Sequence, residues 1–330
     1  MRVVHFHRKP DISVFSIEGL FKTVRNYLPK DINCKVEISR YESRGIFKRI
    51  YNIAEAAFKQ GDINHITGDV NYLCYFMRRK HTILTVHDCN FTFNATGFKK
   101  CLLWFFWFVI PFKRVACVTV ISESTKQELL KYVRYSEGKI HVVPNCISPV
   151  FKYTPQAFNV TRPLILQIGT KVNKNILRLA DALRDIPCKL EIIGNLTEKQ
   201  KQSLVVNSID YTNCTGITED EMVKKYQSCD MLTFVSLYEG FGMPILEANA
   251  IGRPVITSNI LSMPEVAGDA ACLVDPYNIE DIRTGILRII GDRQYREQLV
   301  INGLKNVGRY APEIIAKQYA GLYREVYDAR

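Results

Sequence analysis

Ser236-Leu-Tyr-Glu-Gly-Phe-Gly-Met-Pro-Ile-Leu-Glu-Ala248 joins a strand to a helix and carries two carboxylates across the join. Before it, Met231-Leu-Thr-Phe-Val235 reads as a short buried strand; beyond Pro244, the residues Ile245, Leu246, Ala248 and Ala250 open a helix. The turn Glu239-Gly240-Phe241-Gly242 has two glycines, which let main chain approach a ligand closely. Pro244 suits the first helical turn, where a missing N–H costs nothing. A helix start of this kind offers unsatisfied amides and a positive dipole end to a phosphate. Glu239 and Glu247 flank that anion-sized hole, and carboxylates there make sense as acceptors for sugar hydroxyls. The arrangement suits a nucleotide-sugar.

Outward from this turn the chain alternates strand and helix twice. Strands are expected near 2–6, 34–39, 63–67, 82–87, 115–121 and 139–143, with helices near 17–28, 45–60, 69–79, 98–110 and 123–134. The second set has strands near 163–168, 188–193, 210–214, 230–235, 254–257 and 271–274. Its helices are expected near 174–184, 197–205, 219–228, 244–251, 278–290 and 293–308. Such alternation argues for parallel sheets with right-handed crossovers, hence an α/β chain of two Rossmann-like domains. The stretch Ile147-Ser-Pro-Val-Phe-Lys-Tyr-Thr-Pro155 has two prolines and no periodicity, and reads as the linker. The domains are expected at 1–150 and 151–311, with a helix over 312–330.

Together Glu239 and Glu247 resemble the paired-glutamate signature of the retaining glycosyltransferases of family 4, the group 1 enzymes with the GT-B fold. The resemblance extends through Thr85-Val-His-Asp88, Val120-Ile-Ser-Glu-Ser124, Val143-Pro-Asn145, Ile168-Gly-Thr170 with Lys174-Asn175, and Ser262-Met-Pro-Glu-Val266. It implies two Rossmann-like domains facing across a cleft. An N-terminal domain would hold the acceptor and a C-terminal domain the donor, with a final helix crossing back to the first. It also implies a hexosyltransferase that moves a hexose from a nucleotide-diphosphate sugar to a growing bacterial surface polysaccharide or its lipid carrier.

Strand ends are where such folds bind ligands. After Ile168 come Gly169, Thr170, Lys171 and Lys174, a glycine turn with lysines that suits a diphosphate. By resemblance Lys174 is the phosphate-binding lysine; Thr170 stands where an arginine is common, so Lys171 is the candidate second cation. Gly240, Phe241, Gly242 and Met243 would offer amides to the diphosphate and sugar, Glu247 would bind ribose, and Glu239 the donor sugar. His87 ends the strand Thr82–Val86, where the resemblance implies a sugar-contacting histidine; His65, ending the preceding strand, is a second candidate for the same cleft. His5 and His7 alternate on the first strand and fit either a core or an acceptor-side role. After that strand, Arg8 to Glu18 lacks the glycine pair common in the family. Ser16 is expected to cap the helix, and Arg8, Ser16 and Glu18 to face the cleft. No D-x-D pair sits where a metal-bound diphosphate would need one, so no metal and no cofactor is expected.

The formal net charge is +11, and all of it lies in one half: residues 1–150 carry 23 Lys and Arg against 12 Asp and Glu, whereas 151–330 carry 21 of each. The basic half should meet something anionic, an acceptor phosphate or an anionic membrane surface. Arg78-Arg-Lys80, Lys99-Lys100 and Lys113-Arg114 are its clusters. Cys101-Leu-Leu-Trp-Phe-Phe-Trp-Phe-Val-Ile-Pro-Phe112 is too short to span a bilayer. It is either a buried helix or an interfacial one, with Trp104 and Trp107 at headgroup level. The ten cysteines, none closer than twelve residues apart, exclude C-x-x-C motifs and suggest reduced, buried thiols. The chain starts directly on a strand, and a cytoplasmic protein, peripheral at most on the membrane face, is expected. A dehydrogenase would need G-x-G-x-x-G after the first strand, and no nucleic-acid reading motif accompanies the basic residues. A sugar phosphorylase or nucleotide-sugar epimerase of the same fold remains the nearer alternative.

Overall fold

The computed structural model describes residues 1–9, 16–89, 104–133 and 137–329. The chain forms two compact units, Met1–Cys146 with Ala311–Arg330, and Ile147–Tyr310.

The first unit is built from β1 (Arg2–His7), α1 (Ser16–Asn26), β2 (Asn33–Ile38), α2 (Ile46–Phe58), β3 (Ile63–Ile66), β4 (Thr82–Val86), β5 (Cys117–Val120), α3 (Glu123–Tyr132) and β6 (Ile140–Val142). All six strands are parallel in the order β2-β1-β3-β4-β5-β6. The order reverses between β1 and β3. Successive side chains of a strand point to opposite faces, and both faces are covered. Val4, Phe6, Ile66, Leu84, Val86, Val118 and Val120 enter one cluster with Ile53 and Ala56 of α2. Val3, Ile63, Ile83 and Cys117 enter the other, with Phe21 and Val24 of α1.

The second unit contains β7 (Leu164–Ile168), α4 (Ile176–Leu183), β8 (Lys189–Ile193), α5 (Glu198–Val206), β9 (Tyr211–Cys214), α6 (Glu219–Ser228), β10 (Met231–Phe234) and α7 (Met243–Ile251). It continues with β11 (Val255–Ser258), α8 (Met263–Ala267), β12 (Cys272–Val274), α9 (Ile279–Gly291) and α10 (Arg293–Val307). Its parallel order, β12-β11-β10-β7-β8-β9, reverses between β7 and β10. Capping boxes Thr197/Gln200 and Thr218/Glu221 start α5 and α6. The last helix, α11 (Pro312–Asp328), puts Ile315, Ala316, Tyr319, Ala320 and Tyr323 into the core of the first unit.

Residues 69–79 do not form the expected α-helix. Tyr72, Leu73, Cys74 and Met77 are all buried, a run too continuous for a one-faced helix, and the chain takes tight 3₁₀ turns at Asn71–Phe76 and Arg79–His81. Of the expected helix 98–110, residues 98–103 lie outside the described part, as do Lys99 and Lys100. A π-turn over Phe105–Val109 leads into Ile110–Lys113. Phe108 and Phe112 are buried, and Trp104 and Trp107 pack against the same core. The tryptophans therefore do not face outward; Phe105 and Phe106 do. The nine described cysteines are free, seven of them buried, and no helix among the described residues is long and apolar enough to cross a membrane.

Candidate functional site

In an open α/β sheet the ligand crevice lies outside the carboxyl ends of the strands, where the strand order reverses. In the second unit this point is between β7 and β10, and the residues singled out in the sequence stand there. Gly169 to Lys174 follow β7, and Ser236 to Gly242 follow β10.

Lys174 and Glu239 meet across the switch point, Nζ lying 2.7 Å from Oε1. The ammonium also sits 4.5 Å from the centre of the Phe234 ring, a cation–π contact. Gly169 makes room for this lysine: its φ is +84°, and a Cβ there would come within 2.8 Å of Lys174 Cε. Asn173 ties the two loops together. Its Nδ2 donates to the carbonyl of Tyr238 at 2.8 Å, and its own carbonyl accepts from the Leu237 N–H at 2.7 Å. Asn175, left-handed at φ 61°, opens α4 and donates to the carbonyls of Val235 and Pro276. Ser262 Oγ reaches the carbonyls of Glu239 at 3.0 Å and Phe241 at 2.8 Å, fixing the glycine turn from the side of α8. Ser236 Oγ, fully buried just past β10, has no hydrogen-bond partner among the described residues.

Helix α7 starts at Gly242, whose φ of +116° is open to glycine, with Pro244 in the first turn and no side-chain cap. Phe241 is buried edge-on to Tyr310, its ring turned into the fold. One turn in, Glu247 accepts a 2.5 Å hydrogen bond from the hydroxyl of Tyr226 on α6. Protein atoms crowd its carboxyl group although the residue keeps some accessible surface. Burial pushes Glu247 up to about 7; the Tyr226 bond and Lys174 pull it down and Glu219 adds to the rise. Burial likewise raises the Tyr226 phenol well above its ordinary value. Tyr226 had no place in the sequence reading, although it is the one buried residue of a polar helix. Thr170 does not replace an arginine: its hydroxyl donates to the Asn195 carbonyl at 2.7 Å. Lys171 is exposed beside it.

In the first unit, His87 follows β4 half-exposed, its Nε2 2.7 Å from the Thr67 carbonyl. His65 does not reach a ligand crevice. It is fully buried, with Nδ1 2.7 Å from the Tyr323 hydroxyl and Nε2 2.7 Å from Thr85 Oγ1. His5 joins the same network at 2.9 Å from that hydroxyl, and His7 is buried beside Arg25 and Thr67. These three rings belong to the core. Arg8 is gripped by Glu18 at 3.0 Å and Asp69 at 2.6 Å, beside the reversal between β1 and β3. Ser16 begins α1, but its side chain and most of the loop before it lie outside the described residues. No group of three or more metal-ligating side chains is found among the described residues.

A family profile described as glycosyl transferases group 1 matches residues 153–306, and one described as glycosyltransferase family 4 matches residues 38–151. The chain is 25% identical over 235 residues to O-antigen chain mannosyltransferase B of Escherichia coli, covering 63% of this chain and 60% of that protein. It is 26% identical over 238 residues to the MMP alpha-(1->4)-mannosyltransferase of Mycolicibacterium hassiacum, covering 66% of this chain and 57% of that one. The match thus spans less than two thirds of the length of either relative. Among solved structures, the sucrose-phosphate synthase of Thermosynechococcus elongatus superposes with a TM-score of 0.80 at 17% identity, covering 100% of both chains. Anabaena HepE, solved with UDP and glucose, gives 0.78 at 13% identity over 98% of this chain and 100% of its own. These likenesses establish the fold as GT-B.

Proposed function

The chain belongs to the family 4, group 1 glycosyltransferases, and from that premise we propose that it transfers a hexose, with retention, from a nucleotide-diphosphate sugar to a polysaccharide or lipid-linked acceptor. One observation carries the reading: Lys174, Glu239 and the uncapped start of α7 meet at the switch point of a Rossmann sheet. Lys174 and the amides from Gly240 to Met243 would hold the diphosphate, with Gly169 giving it close main-chain approach and Lys171 adding charge. Glu247 would take the ribose hydroxyls and Glu239 those of the sugar. His87 would contact a sugar hydroxyl.

In the transfer, the bond from the anomeric carbon to the diphosphate oxygen breaks and a bond to the acceptor oxygen forms on the same face. The acceptor's proton passes to the leaving phosphate. Lys174 and the helix dipole stabilise the charge that develops there, a contribution of several kcal/mol in preorganised sites. We read the reaction as metal-independent on this account. The mannosyltransferase relatives favour a hexose, and the positive charge of residues 1–150 favours an anionic acceptor at the cytoplasmic face of a membrane.

Incubation with a panel of nucleotide-sugars, with product and anomeric configuration read by NMR, tests the reading. A retained glycosidic linkage formed only with acceptor present is expected; phosphorolysis or an epimerised donor would replace it with the alternatives. Glu247→Ala should weaken nucleoside diphosphate binding, whereas Glu239→Ala should chiefly lower turnover, and unchanged values would remove that glutamate from the site. Transfer should survive EDTA, and loss restored by magnesium or manganese would overturn the metal-free step.

A further inference from the structure

Helix α2 is apolar on two sides. Asn52, Ile53 and Ala56 face the interior of the first unit. At ~100° per residue, Ile46, Ile50, Phe47, Phe58 and Tyr51 gather within an arc of about 140° on another side. That side is open to solvent: Ile46 is 71% exposed, Phe47 89%, Ile50 53% and Phe58 92%. Tyr41 extends the patch by packing edge-on against Tyr51 at 5.1 Å. Single exposed apolar residues are ordinary, but a contiguous set on one helix face marks a surface that something covers.

The rim indicates what covers it. Arg40, whose guanidinium lies 5.9 Å from the centre of the Tyr51 ring, Arg44 and Lys48 are all exposed around the patch. Of the nearby acids, Glu37 and Glu55 are tied to Lys59, and Glu42 is exposed. This basic rim belongs to the half of the sequence that holds the whole positive excess. We propose that α2 is the surface by which the protein lies on an anionic lipid bilayer. Ile46, Phe47 and Ile50 would enter the boundary between headgroups and acyl chains, with Arg40, Arg44 and Lys48 at the lipid phosphates. A second copy of the chain is the poorer occupant, since a two-fold contact through this face would set the same cationic rim against itself. The inference does not rest on the transfer reaction and stands or falls without it. It also assigns the membrane contact to α2 and not to Trp104 and Trp107, which pack inward.

The experiment is sedimentation of the full chain with phosphatidylcholine vesicles, with and without phosphatidylglycerol. The protein should pellet with the anionic vesicles at low ionic strength. It should keep an apolar remainder when salt shortens the Debye length to about 3 Å. The double variant Phe47→Ser/Ile50→Ser should lose about a hundredfold or more of its vesicle partition, given about 1.5–3 kcal/mol for each fully buried side chain. Its thermal unfolding should stay unchanged, because both side chains are already exposed. Wild-type protein that stays in the supernatant with anionic vesicles would overturn the proposal, as would a double variant that pellets equally well. Light scattering that shows a dimer broken by the same substitutions would assign the face to a second copy instead.

Discussion

In the proposed donor site Glu247 would meet ribose hydroxyls with a carboxyl group that burial holds above the ordinary range. An ionised carboxylate is acceptor-only, whereas the protonated acid gives one oxygen over to donating, and burial has moved this one to about 7, so nucleotide affinity should strengthen as pH rises through that value. Tyr226 supplies the one side-chain donor that opposes the shift. A hydrogen bond to a charged group is worth about 1.5–3 kcal/mol, so Tyr226→Phe should move the midpoint of nucleoside diphosphate binding upward by roughly one to two pH units. Calorimetric titration from pH 5 to 9 measures this, and a midpoint left in place would mean that Tyr226 merely fills space. In the same reading Lys174 would meet the diphosphate of the donor. Lys174→Ala should lower turnover by about 10²–10³-fold, the usual loss on removing a preorganised donor from developing charge, and steady-state kinetics with saturating donor would show it. The Lys174–Glu239 pair joins residues 65 apart in sequence. No local pattern announces such a pair, which is why the sequence supplies the two partners but not their contact.

At the scale of the element, the strands were legible because each is a short buried run that ends in a turn, and the predicted strands all formed. The turn after β10 was legible for a different reason: two glycines, a proline and two carboxylates each have a local job. What escaped was decided by tertiary contact. The 69–79 segment had helical composition but buries the unbroken run Val70–Cys74, and α8, at five residues, is shorter than any periodic window. Tyr226 was hidden in a largely polar helix, where it is the one buried residue. The β7–α4 loop carries its own prediction. Gly169→Ala forces a left-handed alanine, at about 1–2 kcal/mol, and its methyl group would displace the Lys174 stem. Melting should fall by a few degrees, while transfer should fall much further, with the defect in the donor step and not in the acceptor step. Equal losses in both would show that the substitution only loosens the fold.

At the scale of the whole molecule, the two units answer acid in opposite directions. All six histidines lie in the first 150 residues. Burial lowers His5 well below its ordinary value, His7 to about 4 and His65 to about 3. Rings held neutral in the fold but free to charge once unfolded stabilise the native state above pH 6.5, and that stability is lost as pH falls through about 6.5 toward 4. His7 alone accounts for about 3 kcal/mol of it. Glu247, held above the ordinary carboxylate range, has the reverse sign: it costs the second unit stability as pH rises from about 4.5 to 7. Hydrogen exchange between pH 7 and 4.5 should therefore show the first unit opening before the second, and uniform opening would refute the assignment of these rings to the core. Helix α11 has a further consequence, for the order of synthesis. Its Tyr323 bonds both His5 and His65, and its buried face fills a core laid down by residues 1–146, yet the ribosome makes it only after the entire second unit. A nascent chain halted at Tyr310 should thus carry a finished second unit and an unfinished first one, its histidine face bare and open to chaperones and proteases. Translation has to run past the second unit before the first can close.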